Sequence, residues 1–129
     1  MNIGQAADAA DVSAKMIRHY EAIGLLPKAG RTLSNYRQYG PNDVHVLRFI
    51  KRARDLGFSM NDIRELLGLW RNKGRPSASV KKIAAKHAEG LRQRIAEMQS
   101  MVDAIEHLSE HCHGDHRPEC PILEDLGKP

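Results

Sequence analysis

From Val80 onward the chain, 129 residues long, repeats apolar side chains on a seven-residue cycle. Val80, Ala84, His87, Leu91, Arg94, Met98, Met101 and Ile105 alternate in steps of four and three, and Ile83, Ile95, Val102 and Leu108 widen the stripe. Such spacing predicts a helix with a coiled-coil seam. A helix over 79–109 would be roughly 46 Å long at ~1.5 Å per residue. The residues before it are too few to cover so long a stripe. The seam therefore calls for a partner, most simply a second copy of the chain, running parallel or antiparallel. The competing arrangement is a long helix folded back on its own head. His87 and Arg94 at seam positions weaken the pattern and can set register.

The front of the chain reads differently, as short helices broken by turn signals. Ile3 to Ala10 is a brief Ala-rich helix. Ser13 can cap a second one through about Ala22, because its hydroxyl accepts a bond from an orphan amide, and Gly24 stops it. Two short helices joined by a tight turn have the form of a helix-turn-helix, though an ordinary helical hairpin has the same outline. Pro27, Gly30, Ser34-Asn35 and Gly40 punctuate the next stretch, which predicts a two-stranded hairpin or wing. Pro41 then opens a third helix with the apolar stripe Val44, Leu47, Ile50, Ala53 and Leu56, ending at Gly57. Ser59 with Asp62 resembles a capping box, and Ile63, Leu66, Leu67 and Trp70 supply the face of a fourth helix that ends by Asn72, Gly74 and Pro76. Ser77 and Ser79 are alternative caps for the long helix. The fold class expected is mainly α, organised as a winged helix-turn-helix head over 1–75, a dimerisation helix over 76–110, and a loop and tail over 111–129 with a short helix from Pro121.

Charge divides along the same line. Residues 1–75 hold 13 basic and 7 acidic side chains, while residues 76–129 hold 7 and 9. A basic front and a mildly acidic back point to a polyanion partner for the front alone. Lys15, Arg18, His19 and Tyr20 lie on or near one face of the second helix, Arg31, Tyr36 and Arg37 in the wing, and Arg48, Lys51, Arg52 and Arg54 on the third helix. Cations of this kind hold phosphates, and a few read base edges. One such helix would be an ordinary solvated face; three adjacent elements with the same bias favour double-stranded DNA. Hydrophobic content of 41% excludes wholesale disorder. No apolar run approaches the roughly 20 residues of a membrane span. Met1-Asn2-Ile3-Gly4-Gln5 has no signal-peptide character, so a cytoplasmic chain without membrane contact is expected.

Only two cysteines are present, Cys112 and Cys120, with seven residues between them. This excludes a disulfide framework for the main body. Two thiolates suit a soft monovalent ion such as Cu(I). A zinc ion normally takes four ligands, and His107, His111, His113 and His116 stand close enough in sequence to complete a Cys₂His₂ set. A redox disulfide is a third option. A Cys-His enzyme, with His111 or His113 activating Cys112, is the weakest, since nothing suggests a substrate cleft.

The chain resembles the MerR family of metal-responsive transcription regulators, and within it the copper-responsive CueR/HmrR group. The resemblance spans nearly the whole length. It rests on Met1-Asn2-Ile3-Gly4, Ser13-Ala14-Lys15-Met16-Ile17-Arg18-His19-Tyr20-Glu21, Gly24-Leu25-Leu26-Pro27, Arg31 with Tyr36-Arg37-Gln38-Tyr39, and Arg52-Ala53-Arg54-Asp55-Leu56-Gly57-Phe58. The most diagnostic stretch runs from Cys112-His113-Gly114-Asp115 to Cys120-Pro121-Ile122. One departure is Ser34-Asn35-Tyr36-Arg37, where relatives often have Ser-Gly-Tyr-Arg; His113 and His116 are extra donors.

The resemblance implies a homodimeric winged helix-turn-helix regulator, not an enzyme, activated by Cu(I), with Ag(I) or Au(I) as mimics. It implies DNA contacts from Lys15, Arg18, Tyr20, Arg31, Tyr36, Arg37 and Arg54, and metal ligation by Cys112 and Cys120. Relatives that sense divalent ions carry a cysteine where this chain has Ser77, so two thiolates remain for a +1 ion. Such a site carries net negative charge, for which the amides near Pro121–Ile122 and Lys81 can supply positive potential. By the same resemblance, metal capture reorders the loop, the heads shift, and promoter DNA is kinked and undertwisted so that RNA polymerase engages metal-resistance promoters. The alternatives are a Zn(II) or Cd(II) sensor of the same family and a cytoplasmic copper-binding protein without DNA function.

Overall fold

A computed structural model describes residues 1–27, 30–31, 37–112, 114–115 and 118–129, with Arg31 and Arg37 described through their backbone. The elements run α1 (Ile3–Ala10), α2 (Ala14–Ala22), β1 (Gly30–Arg31), β2 (Arg37–Gln38), α3 (Pro41–Asp55), α4 (Met60–Arg71), α5 (Ser77–Glu110) and α6 (Pro121–Leu126). Two compact units result, Met1–Ile83 and Ala84–Pro129.

Caps explain where the short helices begin. Ser13 Oγ accepts the Met16 amide at 3.1 Å, and Ser59 Oγ accepts the Asp62 amide at 3.1 Å. α1 has a reciprocal box that the sequence reading missed: Asn2 Oδ1 accepts the Gln5 amide, and Gln5 Oε1 accepts the Asn2 amide, both at 2.9 Å. Gly24 ends α2 at φ 80°, which lets the amides of Leu25 and Leu26 both return to the Tyr20 carbonyl, at 3.0 and 3.2 Å. Between α1 and α2 the turn is made by Asp11 at φ 55°, a left-handed conformation that aspartate tolerates better than most residues.

The core of the first unit joins α1, α2, α3 and α4. Ile17, Leu47, Ile50 and Ile63 are fully enclosed, each contributing about 1.5–3 kcal/mol by leaving water. α3 buries more than its expected stripe, because Val46 is also enclosed at 1% exposure. Leu56, the last stripe residue, is instead exposed, since α3 stops at Asp55 and the chain turns away at Gly57 with φ 83°. Trp70 is likewise more open than a core residue, its ring stacked on Phe49 with centroids 5.3 Å apart.

β1 and β2 pair antiparallel, with Gly30 opposite Gln38 and Arg31 opposite Arg37. Tyr39 follows β2 directly and is 2% exposed. Its amide donates to the Met1 carbonyl at 2.7 Å, its carbonyl accepts from the Met1 amino group at 2.9 Å, and its hydroxyl donates to the Glu21 carboxylate on α2. The hairpin exit is thereby tied to the start of α1 and the end of α2.

α5 starts two residues earlier than expected, at Ser77, and runs for 34 residues. None of its residues is buried within the single chain. Ile95, Met98, Met101, Val102 and Ile105 are exposed along it, leaving the heptad seam open.

Candidate functional site

Lys15 and Arg18 stand exposed on α2, three residues apart and so neighbours on the helix surface. Arg54 on α3 is also exposed, and its Nη1 donates a 2.6 Å hydrogen bond to the Tyr20 hydroxyl. Tyr20 is not the surface residue that was expected. Its ring is 1% exposed and belongs to the core, with the hydroxyl holding Arg54 in place. An open cleft of about 290 Å³ lies beside this pair, lined by Ser13, Met16, Lys51 and Arg54 together with the carboxylates of Asp11 and Asp55. Two carboxylates beside two cations leave the cleft no excess positive charge.

Several cations of the head have internal partners that charge counting could not assign. Arg48 donates from Nε and Nη2 to the Ala9 carbonyl at 3.2 and 2.9 Å, clamping the last turn of α1 onto α3. Lys51 pairs with Asp11, which lowers the Asp11 pKa, chiefly through the hydrogen bond, and raises that of Lys51. Arg64 and Arg71 reach the carbonyls of Ile23 and Leu25, at 3.0 and 3.5 Å, and hold the segment after α2. Arg31 and Arg37 face each other across the hairpin as backbone partners; Tyr36 lies outside the described residues.

The thiols come from the end of α5 and the start of α6. The Cys112 amide donates to the Ser109 carbonyl at 3.0 Å, continuing the helix end by one turn. Cys120 is the residue before Pro121, whose fixed φ suits the first position of α6. Both cysteines are free and partly accessible. The Cys120 pKa is lowered, first by the Leu123 amide, then by the Ile122 amide and the Cys112 thiol, against opposition from desolvation and from Glu124. Helix-start amides favour the anionic sulfur. Thiolate absorbance at 240 nm should therefore first rise at lower pH in the native, metal-free chain than in the same chain in urea. Coincident titrations would contradict this account.

His111 Nδ1 lies 2.8 Å from the His107 carbonyl, and the two rings sit 4.5 Å apart. His113 and His116 lie outside the described residues. Among the described residues, no three metal-donor side chains form a cluster. Ser77 and Lys81 are exposed on the first turns of α5, within the first compact unit, whereas both thiols belong to the second.

Comparison with known proteins places this geometry. Residues 1–69 match the model of the MerR HTH family regulatory protein, and residues 44–108 match that of MerR, DNA binding. The HTH-type transcriptional regulator HmrR of Sinorhizobium medicae is 56% identical over 128 residues, covering 99% of this chain and 87% of the relative. Heavy metal-dependent transcription regulator 2 of Rhizobium meliloti is 56% identical over 126 residues, covering 98% and 86%. Among solved structures, the transcription regulator PbrR691 of Ralstonia metallidurans in complex with lead(II) superposes with a TM-score of 0.85 at 29% identity, covering 98% of both chains. With a helix-turn-helix head, a two-stranded wing, a long seam helix and family models matched across both head and helix, the chain belongs to the MerR family of transcriptional regulators.

Proposed function

We propose that this chain is a homodimeric, metal-responsive activator that senses Cu(I), with Ag(I) or Au(I) as chemical equivalents. The observation that carries the metal reading is the thiol pair: Cys112 and Cys120 bracket one short loop, and the Cys112 thiol and the first amides of α6 both favour the Cys120 thiolate. A pair of soft donors fits a soft monovalent ion. Cys112 and Cys120 would hold it, and the ion would supply the positive charge that lets two thiolates share one site. Ser77 leaves no third thiolate at the head of α5, and Lys81 contributes positive potential. The Rhizobium meliloti relative, heavy metal-dependent by name, is consistent with a metal effector.

In this reading residues 1–75 bind promoter DNA, 76–110 form the dimerisation helix, and 111–129 form the metal-binding loop and tail. Lys15, Arg18, Arg31, Tyr36 and Arg37 contact the duplex, Arg54 holds a phosphate, and Tyr20 orients Arg54. The open α5 seam pairs with that of a second copy. The dimer works in the cytoplasm, on metal-resistance or efflux promoters, and acts by deforming the duplex so that RNA polymerase can engage it.

In vitro transcription at buffered free Cu(I), Ag(I) and Zn(II) tests the assignment. Activation by the two monovalent ions and silence with zinc is the expected result, and a zinc response at comparable free concentration would overturn it. In the same assay Ser77→Cys should bring in a divalent response, and an unchanged profile would remove Ser77 as the selectivity determinant.

A further inference from the structure

Among the described residues, Glu21 is the one charged side chain that the fold buries, at 7% exposure. Enclosing a carboxylate is costly unless its oxygens are hydrogen-bonded or paired, so its setting shows what holds it there. Glu21 lies on the inner side of α2, the helix whose outer side presents Lys15 and Arg18. It accepts the hydroxyl of Tyr39, which is 18 positions away in sequence and follows β2 without a break. Tyr39 is also fixed through both its backbone groups to Met1. Apolar packing would hold the hairpin against α2 but permit sliding, whereas a directional hydrogen bond between two enclosed groups specifies one register.

We propose that Glu21 and Tyr39 are positioning residues that set the spacing between the α2 cations and the wing, and with it the duplex shape that the head accepts. This rests on the DNA-binding reading of the head. Arg37 stands two residues before Tyr39, and Arg31 is its strand partner. A shift at Tyr39 therefore carries the paired strands β1 and β2 with it, while Lys15 and Arg18 stay with α2. Phosphate contacts made by two separately mounted elements register groove width and twist, so their spacing selects DNA by shape.

The test uses the full chain and a duplex selected on the wild-type chain from a random-sequence library. Phosphate-ethylation interference then maps the contacts of wild type, Tyr39→Phe, Glu21→Gln, and the apolar pair Tyr39→Phe with Glu21→Met. Tyr39→Phe should lose or shift the contacts on the wing side and keep those of α2. Its preference for the selected duplex over random DNA should fall about fivefold, the worth of one net hydrogen bond. Glu21→Gln keeps an acceptor oxygen and should retain the wild-type map. The apolar pair removes the bond from both ends, so the displaced map should persist in it. Uniform weakening of all contacts in step with thermal midpoint, or a map unchanged in Tyr39→Phe and the apolar pair, would overturn the proposal. Failure of the wild-type chain to select any duplex would overturn the DNA-binding reading and this proposal with it.

Discussion

Cys112→Ser and Cys120→Ser should each abolish metal-dependent transcription while leaving affinity for promoter DNA unchanged. A serine hydroxyl is a hard donor that stays protonated at neutral pH, so either change leaves one soft ligand where two are required. Loss of an outer partner of a metal ligand already costs about 10–100-fold in affinity, and loss of a ligand should exceed that. DNA binding should survive because its candidate residues lie in Met1–Ile83 and the thiols in Ala84–Pro129. Cys112 and Cys120 are partly accessible and fill no core position, so neither change opens a cavity. Paired measurements decide the matter: a gel shift for binding, and run-off transcription across a Cu(I) titration for response. Loss of operator binding in either variant would break the division of labour between the units.

The second large effect concerns the seam of α5. Met98→Glu with Met101→Glu should convert the chain to a monomer and strip most of its affinity for a two-half-site duplex. Both side chains are more than half exposed in the single chain, at 62% and 61%. In a paired helix each would contribute about 1.5–3 kcal/mol on burial. A carboxylate at the same place would face a low-dielectric seam and its counterpart on the other copy. The loss on DNA is larger than the contact energy suggests, because tethering two heads raises avidity by about 10²–10⁴ over one head. Sedimentation equilibrium would report the assembly, and a duplex carrying one half-site would show whether each head still binds alone. A variant that remains dimeric would place the interface elsewhere.

Much of this architecture was legible in the residues, for identifiable reasons. Ser13 and Ser59 announce helix starts because a short hydroxyl beside an apolar periodic run has few other uses, and the geometry places an amide on each. The long helix was visible from its period alone. The box between Asn2 and Gln5 carried the same signal but preceded a run too small and Ala-rich to draw attention. Tyr20 and Tyr39 were harder, because a tyrosine suits both a phosphate contact and a core position with one polar tip. Only the fold reveals that Arg54 and Glu21 meet those tips. Arginine is the other blind spot. Arg48, Arg64 and Arg71 span to carbonyls 39, 41 and 46 positions away, and sequence conveys their charge without their partners. For the thiols, Pro121 signals the start of α6, yet which amides face the Cys120 sulfur depends on how the loop closes.

Those amides also bear on how the chain would behave in an acidifying cell. A thiol must shed its proton to hold a soft ion, so below its pKa each such ligand weakens capture by about tenfold per pH unit. The amides of Leu123 and Ile122 lower the Cys120 pKa, so that decline begins at a lower pH than for an ordinary thiol. Two backbone N–H groups thus act as a partial buffer on the response threshold. Because they belong to the main chain, no single side-chain substitution at those two positions removes them, short of proline.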